Sequence, residues 1–240
     1  MSETYELVPV IPITTRNLRA QIRREGLYDR TVRRAIRQAR RSSRGQPRDS
    51  GNDYFQEHIA NASWAVMQFM RGRDPAERRL ALVGTLLHDT IEDDPRFTYE
   101  KCCRKFGRGV ADVVSTLTKR GKTAADTAVY HQGIERGSYV VQVAKTVGDS
   151  PNNLGCSVNW ALTELMKGNL PDEDDPALQR LGKVTKENRD VYLPVALGLE
   201  PGGELAGRRI EQMLELADFA LARIHRLRGN DVAGCLPVEV

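Results

Sequence analysis

The sequence predicts an all-α fold, a bundle of about eight to ten helices, and three observations carry that expectation. Apolar residues recur at helical spacing in separate segments: Ala60, Trp64, Met67 and Met70; Leu80, Val83, Leu86, Leu87 and Ile91; Val110, Val113, Val114 and Leu117; and Ile210, Met213, Leu214, Ala217, Leu221 and Ile224. Residues that start or stop helices punctuate these segments: Pro75 at a first turn, Pro95 where a helix must end, Thr98 as an N-cap and Gly107 as a C-terminal stop. The stretch "SYVVQVAKTVG" is β-branched enough for a strand, but helical patterns flank it, so it reads as a buried helix.

In chain order, residues 1–15 read as extended, with Pro9 and Pro12 opposing a helix. A helix over 27–42 places Ala35 and Ala39 on one face, and "RGQPRDSGND" is a loop by composition. A helix over 54–71 comes next, then one running from Pro75 to about Pro95. Two short helices lie within 98–117, another covers 125–136, and the buried one comes after it. "PDEDDP" is an acidic surface loop, and a long C-terminal helix comes after "EPGGE". The chain divides into an N-terminal extension (1–25), a main domain (26–200) and a C-terminal helix packed on that domain (201–240).

Composition narrows the function classes. No apolar run approaches the length of a membrane span, and the N-terminus has no basic region ahead of an apolar core, so neither a membrane partner nor a secretory signal is expected. Cys102, Cys103, Cys156 and Cys235 show no Cys-x-x-Cys pairing, which points away from a disulfide framework or zinc ribbon and toward a reducing, cytoplasmic location. "GGELAG" lacks the lysine of a phosphate-binding loop. The net charge of +4 conceals an asymmetry: residues 1–48 hold twelve arginines against four acidic groups. Such an arm can meet nucleic acid. No aromatic interleaving or nucleic-acid motif accompanies it, so a solvated helix whose arginines also serve a phosphate-bearing ligand is preferred.

The chemistry concentrates in "GTLLHDTIEDDP", residues 84–95. Glu92 lies four residues after His88, and Asp93 four after Asp89, so on a helix each pair shares a face. Carboxylates and an imidazole crowded together repel one another and lose solvation, and a bound cation relieves both costs. A helix end that simply reaches water is the competing reading, although acids at a helix C-terminus oppose the macrodipole. His58 in the preceding helix and Asp149 in "AKTVGDSPNNL" extend the pattern to His, His-Asp, Asp. Mixed imidazole and carboxylate donors suit Mn²⁺ or a transition metal better than Ca²⁺.

These segments resemble the hydrolase domain of RelA/SpoT homologues, within the HD phosphohydrolase superfamily. "GQPRDSGNDYFQEHIANA" resembles that domain's Gln-x-(Arg/Lys)…Pro-Tyr-x-x-His…Ala opening. "LLHDTIEDDPRFTYEKCCRKFGRGVADVVSTLTK" is similar to its Leu-Leu-His-Asp-Thr-(Val/Ile)-Glu-Asp…Phe-Gly…Val…Leu-Thr-Lys segment. "AKTVGDSPNNL" and "ENRDVYLP" look like two further motifs, so the resemblance covers roughly residues 30–200. It implies an HD-type helical bundle and a manganese-dependent hydrolase acting on a guanosine 3′,5′-polyphosphate or related nucleotide, releasing pyrophosphate from the 3′ position. It implies one Mn²⁺ per site, held by His58, His88, Asp89 and Asp149, with Glu92 and Asp93 orienting and activating the attacking water. It assigns substrate contacts to Arg48, Asn153, Tyr192 and Lys183, with Lys186 a further candidate for terminal phosphates. Asn61 and Thr90 are expected to hold ligand orientation, and Asp94 to be a solvated helix end.

The sequence departs from the family pattern near Asp149. Thr146 replaces a usual Lys, Ser150 a usual Arg and Asn152 a frequent His; Pro47 stands where a basic residue is common, and Pro151 is unexpected inside a helix. Ser150 as N-cap with Pro151 at the first helical position accounts for the proline. These changes leave open the same chemistry on another nucleotide, an adenosine alarmone or NADPH, with the chain as antidote to a toxic alarmone synthetase. A nucleotide sensor without turnover is disfavoured by the intact Glu92 and Asp93. No synthetase motif is present, so a stand-alone small alarmone hydrolase is expected, with a homo-oligomer left open.

Overall fold

A computed structural model describes residues 12–46, 48 and 50–231. Among them ten helical rods, and no strands, are joined by short turns. Helix α1 is Thr15–Arg24 and α2 is Arg30–Ser42, capped by the side chains of Thr14 and Asp29. Helix α3 (residues 55–69) opens with a π turn, Phe55–Ile59, before regular Ala60–Phe69. Helix α4 (residues 75–93) runs Pro75–Leu87, breaks at His88–Asp89 and adds one turn, Thr90–Asp93. Helices α5 (Tyr99–Phe106), α6 (Arg108–Leu117) and α7 (Ala124–Glu135) come next. Helix α8 (residues 139–166) carries a π segment, Ala144–Asp149, between Tyr139–Val143 and Ser150–Met166. Helix α9 (residues 176–197) carries another, Asn188–Tyr192, and α10 is Gly203–Asp231.

Most sequence signals act where they were expected. Pro75 sits in the first turn of α4, Thr98 accepts the Lys101 N–H, and Gly107 separates α5 from α6 with φ of 91°, open to glycine at no steric cost. The β-branched stretch is helical, because Val140, Val141, Val143 and Val147 bury among neighbouring helices and tertiary burial outweighs strand propensity. Helix α1 lies within the segment read as an extension, and its Leu18 and Ile22 are buried. The expected extended segment falls mostly on residues outside those described, as do Pro47 and Cys235.

Two apolar clusters fill the bundle. One joins α1, α2 and the near faces of α3, α4 and α6, through Ile22, Ile36, Phe55, Leu82 and Leu86. The other joins the opposite faces of α3, α4 and α6 to α8, α9 and α10, through Val66, Val113, Leu154, Leu181 and Ile210. Helices α3 and α4 thus form a shared wall. Each such side chain taken from water contributes about 1.5–3 kcal/mol before ordering costs. Gly148 lets α8 reach that wall: a Cβ there would lie 2.9 Å from Val66 Cγ2 and 3.2 Å from the Ala62 carbonyl oxygen. The residue after it is Asp149.

Candidate metal centre and the cleft beside it

His58, His88 and Asp149 are buried, from three different helices, and present ligand atoms within 4.8 Å of one another. The two imidazole Nε2 atoms lie 3.0 Å apart. Asp149 Oδ1 is 3.3 Å from the first and 3.5 Å from the second. Asp89 Oδ2 joins from the break in α4, 3.3 Å from His58 Nε2 and 3.0 Å from His88 Nε2. Donors bonded at about 2.1 Å to one ion stand roughly 3.0–3.4 Å apart, so this spacing fits a small divalent cation. His88 Nδ1 is 2.7 Å from the Thr85 carbonyl oxygen; donation there fixes the ring's orientation and aims Nε2 at the centre. The cluster can therefore hold a metal ion.

Charge at the centre is balanced by ion pairing. Burial opposes ionisation of Asp89 and Asp149, but His88 and His58, joined at Asp149 by Lys145, hold both carboxyls well below the usual range. Burial likewise opposes the charge on His88, and the two aspartates outweigh it. Lys145 Nζ donates to Asp149 Oδ2 at 2.5 Å and lies over the rings of Tyr192 and Tyr130, at 4.8 and 5.4 Å from their centroids. This residue was missed in the sequence, where a family lysine is expected at Thr146. Lys145 lies four residues before Asp149, the ordinary spacing of a pair on one helix face.

Ser150 is not an N-cap, which corrects the expectation of a helix start there. Its backbone is helical, α8 continues through it, and its hydroxyl donates to Asn188 Oδ1 at 2.8 Å. Pro151 is accommodated because the preceding π segment displaces the carbonyls that its ring would meet in a regular helix. Asn152 packs its amide 3.1 Å from His58 Nδ1.

A cleft of about 230 Å³ opens beside the centre. Asp89 and Asp149 form its floor, Tyr54, Tyr130 and Tyr192 its walls, and Lys119, Lys145 and Lys183 supply positive charge. Glu92 and Asn153 also line it. Tyr54 donates to Asp89 Oδ2 at 2.9 Å. Lys119, the last residue of a Leu-Thr-Lys motif, was a second omission, and its backbone N–H donates to Glu92 at 3.3 Å. Lys186 is exposed and is not among the lining residues. Arg48 does not line the cleft either. Its guanidinium donates to Asn153 Oδ1 at 3.0 Å and lies 5.3 Å from the Tyr54 ring, and Asn153 in turn donates to Asp149 Oδ1 at 2.7 Å.

The last turn of α4 carries the remaining carboxylates. Burial and the nearby Asp89 raise Glu92 above its ordinary value. Burial, Asp89 and Glu92 push Asp93 up to about 6, against a hydrogen bond from Gln46. Among the described residues Asp93 Oδ2 is buried with no hydrogen-bond partner, so an oxygen acceptor stands open to water. Asp94 is not a solvated helix end: it is 8% exposed and accepts from the backbone N–H and Nε of Arg96, at 3.1 and 3.2 Å. Pro95 turns the chain back over it. Asn61 donates to the carbonyls of Gln56 and Glu57, which the π turn of α3 frees from regular bonding, so it holds the turn that carries His58. Thr90 is buried.

Comparison with known proteins finds similarity for part of the chain. The probable GTP diphosphokinase RSH3, chloroplastic, of Arabidopsis thaliana is 32% identical over 108 residues, 45% of this chain and 14% of that protein. The probable GTP diphosphokinase RSH2, chloroplastic, of Oryza sativa subsp. japonica is 35% identical over 119 residues, 48% of this chain and 16% of that protein. Its Arabidopsis thaliana counterpart is 35% identical over 101 residues, 42% of this chain and 13% of that protein. The chain therefore matches only about one seventh of these relatives' length. No protein-family model matches it. No helix among the described residues is long and apolar enough to cross a membrane.

Proposed function

We propose that this chain is a metal-dependent hydrolase that removes the 3′-pyrophosphate of guanosine tetra- and pentaphosphate, yielding GDP or GTP and pyrophosphate. The observation that carries the reading is the convergence of His58 and His88 on Asp89 and Asp149, which floor a cleft whose positive groups are Lys119, Lys145 and Lys183. Relatives named for a reaction of GTP support a guanosine nucleotide. In this reading residues 26–200 form the catalytic domain and Mn²⁺ is the ion, one per site, held by those four side chains.

When bound, the ion would acidify water and stabilise charge on phosphate oxygens. The protein residues do the rest. Glu92, at the cleft wall, takes the proton of the attacking water as general base. Asp93, behind it and tied to Gln46, orients that water through its free Oδ2. Water oxygen adds to the phosphorus nearest the sugar while the bond to the 3′ oxygen breaks, and that oxygen leaves with a proton. Lys119 and Lys183 neutralise the departing diphosphate, and Tyr192 and Tyr130 present ring faces to the nucleotide. Arg48 acts through Asn153 and Tyr54, holding both in place.

A second substrate reading, the same chemistry on an adenosine alarmone or NADPH, is favoured by one observation. Ser150, where the family usually has an arginine, is turned inward onto Asn188. Purified protein with Mn²⁺ should release pyrophosphate from ppGpp and pppGpp faster than from ppApp, or phosphate from NADPH. Preference for ppApp or NADPH selects the second reading, and absence of turnover on all four with metal bound overturns both.

A further inference from the structure

Outside this cleft, α2 and α5 enclose a separate pocket of about 170 Å³ lined by Arg34, Arg37, Gln38, Arg41, Lys105 and Phe106. Arg34, Arg37 and Arg41 fall at spacings of three and four, so one face of α2 presents all three guanidinium groups. Arg34 rests over the Phe106 ring at 5.5 Å, and Lys105 Nζ donates to Gln38 Oε1 at 3.1 Å while lying 5.6 Å from the Phe97 centroid. Among the described residues no carboxylate pairs with any of the four cations: Asp29 at the start of α2 pairs with Arg79, and Asp94 pairs with Arg96.

Crowded cations without counter-charge raise the energy of the folded state. Lys105 registers this directly: burial and then Lys101, Arg41 and Arg34 hold its ammonium below the usual lysine value, and Asp94 offsets them only in part. The opposite face of α2, with Val32, Ala35, Ile36 and Ala39, is buried in the core, so the arrangement is rigidly held. A bound anion would remove the repulsion.

We propose that this pocket is a second anion site that takes a phosphate or diphosphate group. Its four cations match the charge of a diphosphate, and guanidinium forks suit bidentate contact with phosphate oxygens. At about 170 Å³ the pocket is smaller than the cleft and, unlike it, is lined by four cations with no carboxylate, so it takes the phosphate end of a ligand. The group comes either as free pyrophosphate or as the tail of a nucleotide. A nucleic-acid backbone is disfavoured, because the pocket's aromatic residue, Phe106, is half-buried with Arg34 over its ring, and the exposed large apolar residues, among them Phe219, lie on other elements.

Isothermal titration of the full chain with pyrophosphate, in chelator and roughly 0.1 M salt, tests this. Two binding events are expected, one in the cleft and one here. R37Q/R41Q should weaken one event about tenfold or more, as loss of charge-assisted contacts implies. K119Q/K183Q should weaken the other. Both arginines are exposed, so the double variant should keep the parent melting temperature, and R41Q alone repeats the measurement with a smaller loss. An isotherm unchanged by R37Q/R41Q overturns the proposal. So does a short single-stranded RNA that displaces pyrophosphate from this site and binds it more tightly. Titration with a guanosine nucleotide in place of pyrophosphate distinguishes the two sources: tighter binding by the nucleotide selects the tail, equal or weaker binding the free anion.

Discussion

The floor of the cleft and its rim are built differently. Every candidate ligand at or beneath the floor sits where a helix departs from regular α geometry: His58 in the π turn of α3, His88 and Asp89 at the break in α4, Asp149 at the end of the π segment of α8. On the rim, Lys183 occupies a regular turn of α9, and Lys119 lies just past the end of α6. A wide turn or a break re-aims one side chain without moving the helix, and it persists only if surrounding contacts hold it. Asn61 and the close approach at Gly148 are such contacts. The floor is fixed by the core, while the rim can vary to suit a substrate.

That contrast can be broken by experiment, the largest effect first. His88→Ala and Asp149→Ala should abolish stoichiometric Mn²⁺ by elemental analysis and with it turnover, whereas chelator treatment and then Mn²⁺ should restore the parent enzyme. Metal retained in both variants would mean that the floor does not hold the ion. Glu92→Gln should keep the metal and lower kcat by about 10²–10⁴-fold, the range for loss of a general base. Lys145→Met leaves Asp149 buried without its ammonium and should cost about 3–5 kcal/mol in urea denaturation without metal. The loss should be smaller with Mn²⁺ present, since the ion restores positive charge beside the carboxylate.

The pH profile comes next. Asp93 is held up to about 6, so it gains a proton as pH falls through that value and loses its ability to accept from water. Activity should decline below about pH 6, and Asp93→Asn should flatten that limb; an unchanged limb assigns it to another group. The smallest effect belongs to the rim. Lys183→Gln should raise KM by about three- to tenfold and leave kcat within about twofold, because an exposed lysine offers a screened charge. A kcat collapse there would mean that floor and rim are not separable.

Legibility divides along the same line. Helix spacing alone puts His88 near the acids just after it, whereas His58 and Asp149 entered as ligands through the resemblance to the hydrolase domain. Asp94 was misread because a helix end looks solvated in a sequence, whereas Pro95 and Arg96 fold the chain over it. Lys145 stands four residues before Asp149, an ordinary helical pair, but its residue type alone does not say that it is buried beside that carboxylate. Lys119 was visible as a motif residue, but nothing local said that α6 ends beside Glu92.

The sequence by itself determined the helices, because apolar period, caps and prolines act within a few residues, and it determined the chemical identity of the donors. Only the tertiary structure decided that those donors meet. Residues 58, 88 and 149 are brought together by the packing of α8 on the α3–α4 wall, where Gly148 permits the contact and π turns aim the side chains. Those turns arise from the balance of packing across helices, which no local pattern encodes.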